Sequence, residues 1–137
     1  MKHILYILIG LSLMVSGCKK EDGNASDWTG VYNGNTSGNT VQRVIVSEVN
    51  SNTLKMELQI LTSGGGGYYT FATIDEAKIS GSTAAVVDED GTILGSAGTY
   101  KFAGGSQRDS DTLTISGSAT NKKDLSDVKL YYFKGSK

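Results

Sequence analysis

Residues 54–60 read "LKMELQI", with Leu54, Met56, Leu58 and Ile60 at every second position and Lys55, Glu57 and Gln59 between them. Successive side chains of an extended chain point to opposite faces, so this alternation describes a strand with one apolar face and one wet face. The stretch "TLTISGSAT", 112–120, repeats it: Leu113, Ile115 and Ala119 on one side, Thr112, Thr114, Ser116 and Ser118 on the other. Past the N-terminal apolar run, no segment sustains a 3.6-residue apolar period with caps, so almost no helix is expected there. Six further segments, 28–33, 41–49, 68–79, 83–87, 94–103 and 128–134, are rich in β-branched and aromatic residues and bring the expected strands to eight.

Turn-forming clusters separate them: "NGNTSGN", "NSN", "SGGGG", "SGS", "DEDG", "GGSQRD" and "NKKD". The chain has no proline, so each strand keeps its full set of amide donors. Most loops are short enough for hairpins, which makes neighbours in sequence antiparallel neighbours in space. A meander of eight strands must dispose of two edges, and closure into a barrel removes both. The expected fold is therefore all-β, an eight-stranded antiparallel meander closed as a small barrel, with a two-sheet sandwich as the alternative. Glycines such as Gly98 and Gly117 suit the bends of a small barrel. The similar strings "ISGSTA" (79–84) and "ISGSAT" (115–120) reflect strand-and-turn composition rather than a repeat.

Ahead of this pattern stands "MKHILYILIGLSLMVSG": Lys2, an apolar run from Ile4 to Val15, then Ser16 and Gly17. That is the layout of a signal peptide. A helix of the twelve apolar residues spans about 18 Å, too little for a hydrocarbon core of about 30 Å. The only cysteine follows directly. "Val-Ser-Gly-Cys" resembles the lipobox of bacterial lipoproteins. The resemblance implies cleavage between Gly17 and Cys18, a diacylglyceryl group on the Cys18 thiol and acylation of its new amino group. Two chains anchor stably where one does not. Lys19, Lys20, Glu21 and Asp22 follow. A lysine at 19 lacks the aspartate that retains lipoproteins in the inner membrane, and lysine followed by two acids resembles the surface-export signal of Bacteroidetes lipoproteins. The expectation is an outer-membrane, lipid-anchored protein exported to the cell surface, with the periplasmic face as the alternative.

Residues 1–17 are thus read as signal peptide, 18–27 as lipidated tether and 28–137 as one barrel domain. Removing 17 of 137 residues leaves 120, enough for a single core. Of 13 basic residues the signal takes Lys2, leaving 12 against 14 acidic. No basic stripe for nucleic acid is present. The only histidine, His3, also leaves with the signal, and the only thiol is acylated. The mature chain then lacks the usual general base, the thiol nucleophile and the commonest metal ligand. No enzyme activity, metal or cofactor is expected.

The first strand reads "DWTGVYNG", and Trp28, Gly30 and Tyr32 in it resemble the opening strand of lipocalin-like, calycin-type barrels, where a tryptophan plugs the closed end. Ser26 stands where the lipocalin motif has glycine, and that family's later motifs have no counterpart here. Clustered carboxylates occur in "DEDG" (88–91) and "RDSD" (108–111), but neither has the alternating oxygens and closing glutamate of a calcium loop. Asp90-Gly91 reads instead as a hairpin turn. Asp75, Glu76 and Asp109 are the only carboxylates to nominate for glycosidase chemistry, and nothing in their spacing pairs them. The glycines 64–67 lack the lysine and helix of a phosphate loop and read as a hairpin loop. Tyr68, Tyr69 and Phe71, and Tyr131, Tyr132 and Phe133, offer rings for sugar stacking or an apolar surface. Of each adjacent tyrosine pair one ring must face outward or into a pocket. The candidate ligand-binding residues are Trp28, Tyr32, Tyr68, Tyr69, Tyr131 and Tyr132. The functional expectation is a non-enzymatic binding module, attached to the membrane by its acyl chains, for a small apolar or glycan ligand. The alternative is a packed surface protein, adhesin-like or a hydrolase inhibitor, that meets an envelope protein.

Overall fold

A computed structural model of the chain describes residues 23–34, 38–93 and 95–137. A four-residue helix α1 (Ala25–Trp28) leads into β1 (Gly30–Gly34), β2 (Arg43–Asn50), β3 (Thr53–Leu61) and β4 (Tyr68–Ser80). These are followed by β5 (Thr83–Gly91), β6 (Tyr100–Asp109), β7 (Thr112–Asn121) and β8 (Val128–Ser136). All neighbours are antiparallel, and β1 pairs with β8 to close the barrel in the order β1 to β8. The expected all-β meander is the observed one, and the sandwich alternative is excluded by the closure.

The period-two rows build the core. Leu54, Met56 and Leu58 of β3 face Leu113 and Ile115 of β7 across an interior shared with Val44, Ile74, Val86, Phe102 and Phe133, all but fully buried. The β2–β3, β4–β5 and β6–β7 turns lie at one end, which α1 closes: the Ala25 amide donates to the Ser51 carbonyl at 3.0 Å, and Trp28 is buried. The C-terminus arrives there too, the Lys137 amide donating to the Asp111 carbonyl and its ammonium to the Asp27 carbonyl. The loops at 62–67, 92–93, 95–99 and 122–127 surround the other end, the mouth.

Several boundaries differ from the sequence reading, each for a packing reason. Trp28 lies in a helical turn rather than a strand, capped by the Asn24 side chain, and the strand begins at Gly30, whose φ of 139° suits glycine. Asp90 and Gly91 are not a hairpin turn but the end of β5. There the Asp88 carboxylate accepts the amides of Thr73 (3.1 Å) and Asp90 (3.0 Å), supplying acceptors where the ladder to β4 has opened. "GGSQRD" is likewise strand, because β6 pairs residue for residue with β7 from Tyr100↔Asn121 to Asp109↔Thr112. The strand expected at 94–103 starts only at Tyr100, and Gly98 falls in the preceding loop. The β6–β7 turn is carried by Ser110, at φ 53°, and Asp111. The two similar strings occupy unlike places, one across the β4–β5 turn and one within β7.

Two joins are weaker than the rest. β4 and β5 pair only at Ile79↔Ala84 and Ser80↔Thr83 before they splay. β1 meets β8 only at Asn33↔Ser136 and Gly34↔Gly135. Beyond that contact residues 39–41 complete the wall: Thr40 and Val41 amides donate to the Tyr132 carbonyl, and the Asn39 side chain brackets the Lys134 backbone.

Candidate ligand site at the barrel mouth

Past Tyr132, no strand among the described residues lies beside β8 on the β1 side, and a cavity of about 210 Å³ opens there into the barrel. Phe71, Phe102, Ala119 and Tyr131 form its buried floor, Ile60 and Ile93 its half-buried walls, and Thr40, Lys129 and Leu130 its exposed lip. The lining is overwhelmingly apolar. The three floor rings form a tilted stack, Phe71 to Phe102 at 5.7 Å and Phe102 to Tyr131 at 5.5 Å between centroids. For scale, an apolar cavity of about 150 Å³ accommodates benzene.

Two glycines fix Tyr131 in the floor. Gly104 and Gly117 face each other on β6 and β7, and the phenol lies across both: a Cβ on Gly117 would sit 2.6 Å from Tyr131 Cζ, and one on Gly104 2.9 Å from its hydroxyl. That hydroxyl is buried with no hydrogen-bond partner among the described residues. Burial pushes its pKa up to about 12, so the ring stays neutral at any physiological pH.

Among the described residues the one cation on the lip is neutralised. Lys129 Nζ sits 2.9 Å from Asp127 Oδ1, and the pairing raises the lysine's pKa. Asp127 Oδ2 accepts from the Tyr100 hydroxyl at 2.6 Å and from Asn121 at 3.2 Å. Led by the Tyr100 bond, these donors hold the Asp127 carboxyl at about 2. A depressed carboxylate contributes stability that is present above its ordinary pKa and lost as pH falls through the folded one. The wild-type melting temperature is therefore expected to drop more steeply between pH 4 and pH 2 than that of Asp127→Asn, measured by thermal denaturation across that window.

Of the six aromatic candidates, Tyr131 alone lines this cavity. Trp28 and Tyr32 lie at the opposite, closed end, where the Tyr32 hydroxyl donates to the Trp28 carbonyl at 2.8 Å. Burial raises the Tyr32 pKa, and the adjacent Arg108 partly offsets it. Tyr68 is on the outer wall beneath the Arg43 guanidinium, 3.6 Å from the ring centroid. The Tyr69 hydroxyl meets Thr92 Oγ1 at 3.1 Å, tying β4 to the loop after β5. Tyr132 faces outward into a more polar cleft of about 280 Å³ with Asn33, Thr112 and Lys134. Each adjacent tyrosine pair thus splits by the strand's alternation. Gly17, Cys18, Lys19, Lys20, Glu21 and Asp22 lie outside the described residues.

Among the carboxylates, Asp75 pairs loosely with Lys55 at 3.8 Å and Asp88 is committed to backbone amides. Among the described residues no cluster of three or more acidic, histidine or cysteine side chains is placed to hold a metal ion. Of the other lining residues, Ile60 and Ala119 read in the sequence only as members of the apolar faces of two strands, and Ile93, Phe102, Lys129 and Leu130 carry no mark of a site. The six come from four strands and the loop after β5. No known protein family, characterised protein or solved structure matches this chain.

Proposed function

We propose that the protein is a lipid-anchored envelope lipoprotein, lipocalin-like in use, that holds a small neutral apolar molecule in the mouth of its barrel without transforming it. The observation that carries the reading is the apolar cavity over Phe71, Phe102 and Tyr131. Its volume fits a single aromatic ring or a short aliphatic chain, and its one ammonium is already paired with Asp127, which disfavours a ligand that brings its own charge. The lipobox-like Val15 to Cys18 supports the anchor. A mature chain without histidine or free thiol supports binding over catalysis.

Indole, toluene and short alkanols are the probes. At 100 times its dissociation constant a ligand adds about 2.7 kcal/mol, a rise in melting temperature on the order of 10 °C for a domain of this size. Ala119→Leu, which fills the floor, is expected to abolish that rise while the unliganded protein still melts cooperatively. A rise that survives in Ala119→Leu places the ligand elsewhere; no rise with any probe favours the packed, partner-binding alternative. That alternative is itself supported by one feature, the exposed row of Val128, Leu130 and Tyr132 on the outer face of β8.

A further inference from the structure

The chain enters the barrel at the end opposite the cavity. Gly23, the first described residue, packs on the β4–β5 turn, where a Cβ would press into the Gly81 carbonyl and lie 2.9 Å from Ile79 Cγ2. The Ala25 amide then bonds to Ser51 in the β2–β3 turn. The leash from Cys18 to Gly23 is five peptide steps, at most about 18 Å when fully extended. The barrel is taller than that. β7 has ten residues, Thr112–Asn121. At about 3.3 Å per residue and a tilt of about 40°, a strand of that length lifts the mouth ~25 Å above the closed end.

We infer that the leash holds the closed end against the bilayer and the mouth on its aqueous side, so that the cavity is loaded from solution and not from the membrane that carries the anchor. This rests on the acylation of Cys18 and on the mouth being the ligand site. The opposing tendency is visible in the structure: Leu125 and Leu130, 75% and 78% exposed, sit at the mouth and would gain by burial in lipid. Turning the mouth to the bilayer, however, requires the leash to run the height of the wall. A covalent limit of ~18 Å of peptide against ~25 Å of wall opposes an end-on inversion with the mouth in the bilayer. With the mouth on the aqueous side, the ligand class narrows to small apolar solutes with real aqueous solubility in preference to acyl lipids of the anchoring leaflet.

The test uses the full acylated protein on vesicles of phosphatidylethanolamine and phosphatidylglycerol that carry a headgroup energy acceptor. A donor dye is placed at the closed end in Ser82→Cys or at the mouth in Lys123→Cys, both exposed. With Cys18 acylated each variant offers one free thiol. Energy transfer is expected to be several-fold greater from position 82 than from position 123. Inserting a Gly/Ser segment of about 20 residues after Asp22, with a mean span of ~25 Å, is expected to raise transfer from position 123. Flotation with the vesicles but equal transfer from both positions on the native leash overturns the orientation alone. Failure to float, with dye incorporated at Cys18, overturns the anchor and the orientation with it.

Discussion

Leu58→Asp is expected to eliminate the cooperative unfolding transition, while Glu57→Lys, one residue away, leaves the melting temperature within a few degrees of wild type. Leu58 is completely buried near the centre of β3, in the core shared with Met56, Ile74 and Ile115. An aspartate there finds no cation, and burying an unpaired carboxylate costs several kcal/mol on top of the lost apolar contacts. Against a total stability of about 5–15 kcal/mol for an ordinary domain, that suffices to unfold it. Glu57 points the other way, and its nearest cation, Lys55, is 3.9 Å off on the wet face. Such a pair is worth about 0–1 kcal/mol. Thermal denaturation by circular dichroism reads both. Similar losses for the two variants would mean that the faces of β3 are assigned the wrong way round.

Gly104→Val is expected to cost about 3 kcal/mol or more, at the upper end for overpacking a core, and its sequence neighbour Gly105→Val to be neutral or stabilising. Gly104 faces inward, where a Cβ would stand 2.7 Å from Gly117 Cα and 2.9 Å from the Tyr131 hydroxyl. The opposite strand is backbone and cannot yield, and the phenol can move only by leaving the cavity floor. Gly105 faces outward with nothing within 4 Å of a Cβ, so a valine there gains strand preference and removes unfolded-chain freedom, together about 0.5–1 kcal/mol. Chemical denaturation of both variants tests the register of β6 on β7. Combining Gly104→Val with Tyr131→Ala should recover part of the loss, because the deleted ring vacates the space.

These two glycines also mark where sequence reading stopped. β3 and β7 were legible because each alternates over seven or more residues, and alternation needs only that one face be wet. "GGSQRD" has the composition of a turn, yet β6 runs through it, since the space over Gly104 is filled by a tyrosine 27 residues later in the chain. "DEDG" misleads in the same way, because Asp88 bonds to a backbone amide of another strand. Trp28 was legible as an occupant of the closed end but not as part of a helical turn: four residues are too few to show a period. The cavity left still less trace. Tyr131 belongs to an aromatic cluster evident in the sequence, but its neighbours Ile60, Phe102 and Ala119 become a site only when β3, β6, β7 and β8 are brought to a common height.

The join between β1 and β8 sets the order in which this molecule can assemble. Seven of its eight ladders connect strands adjacent in sequence, and each can zip as soon as its own hairpin exists. The eighth brings Asn33 to Ser136, across nearly the whole domain, and gains only two residue pairs for doing so. Little enthalpy rewards that contact until Asn39 and Thr40 have closed over Tyr132 and Lys134, so ring closure is expected to come late, at the loop-entropy cost of nearly the whole domain. For a chain synthesised N-terminus first, this order is useful. The emerging segment is a curled but open sheet whose first strand waits unpaired on one side, and the mouth takes shape only when the last strand has arrived.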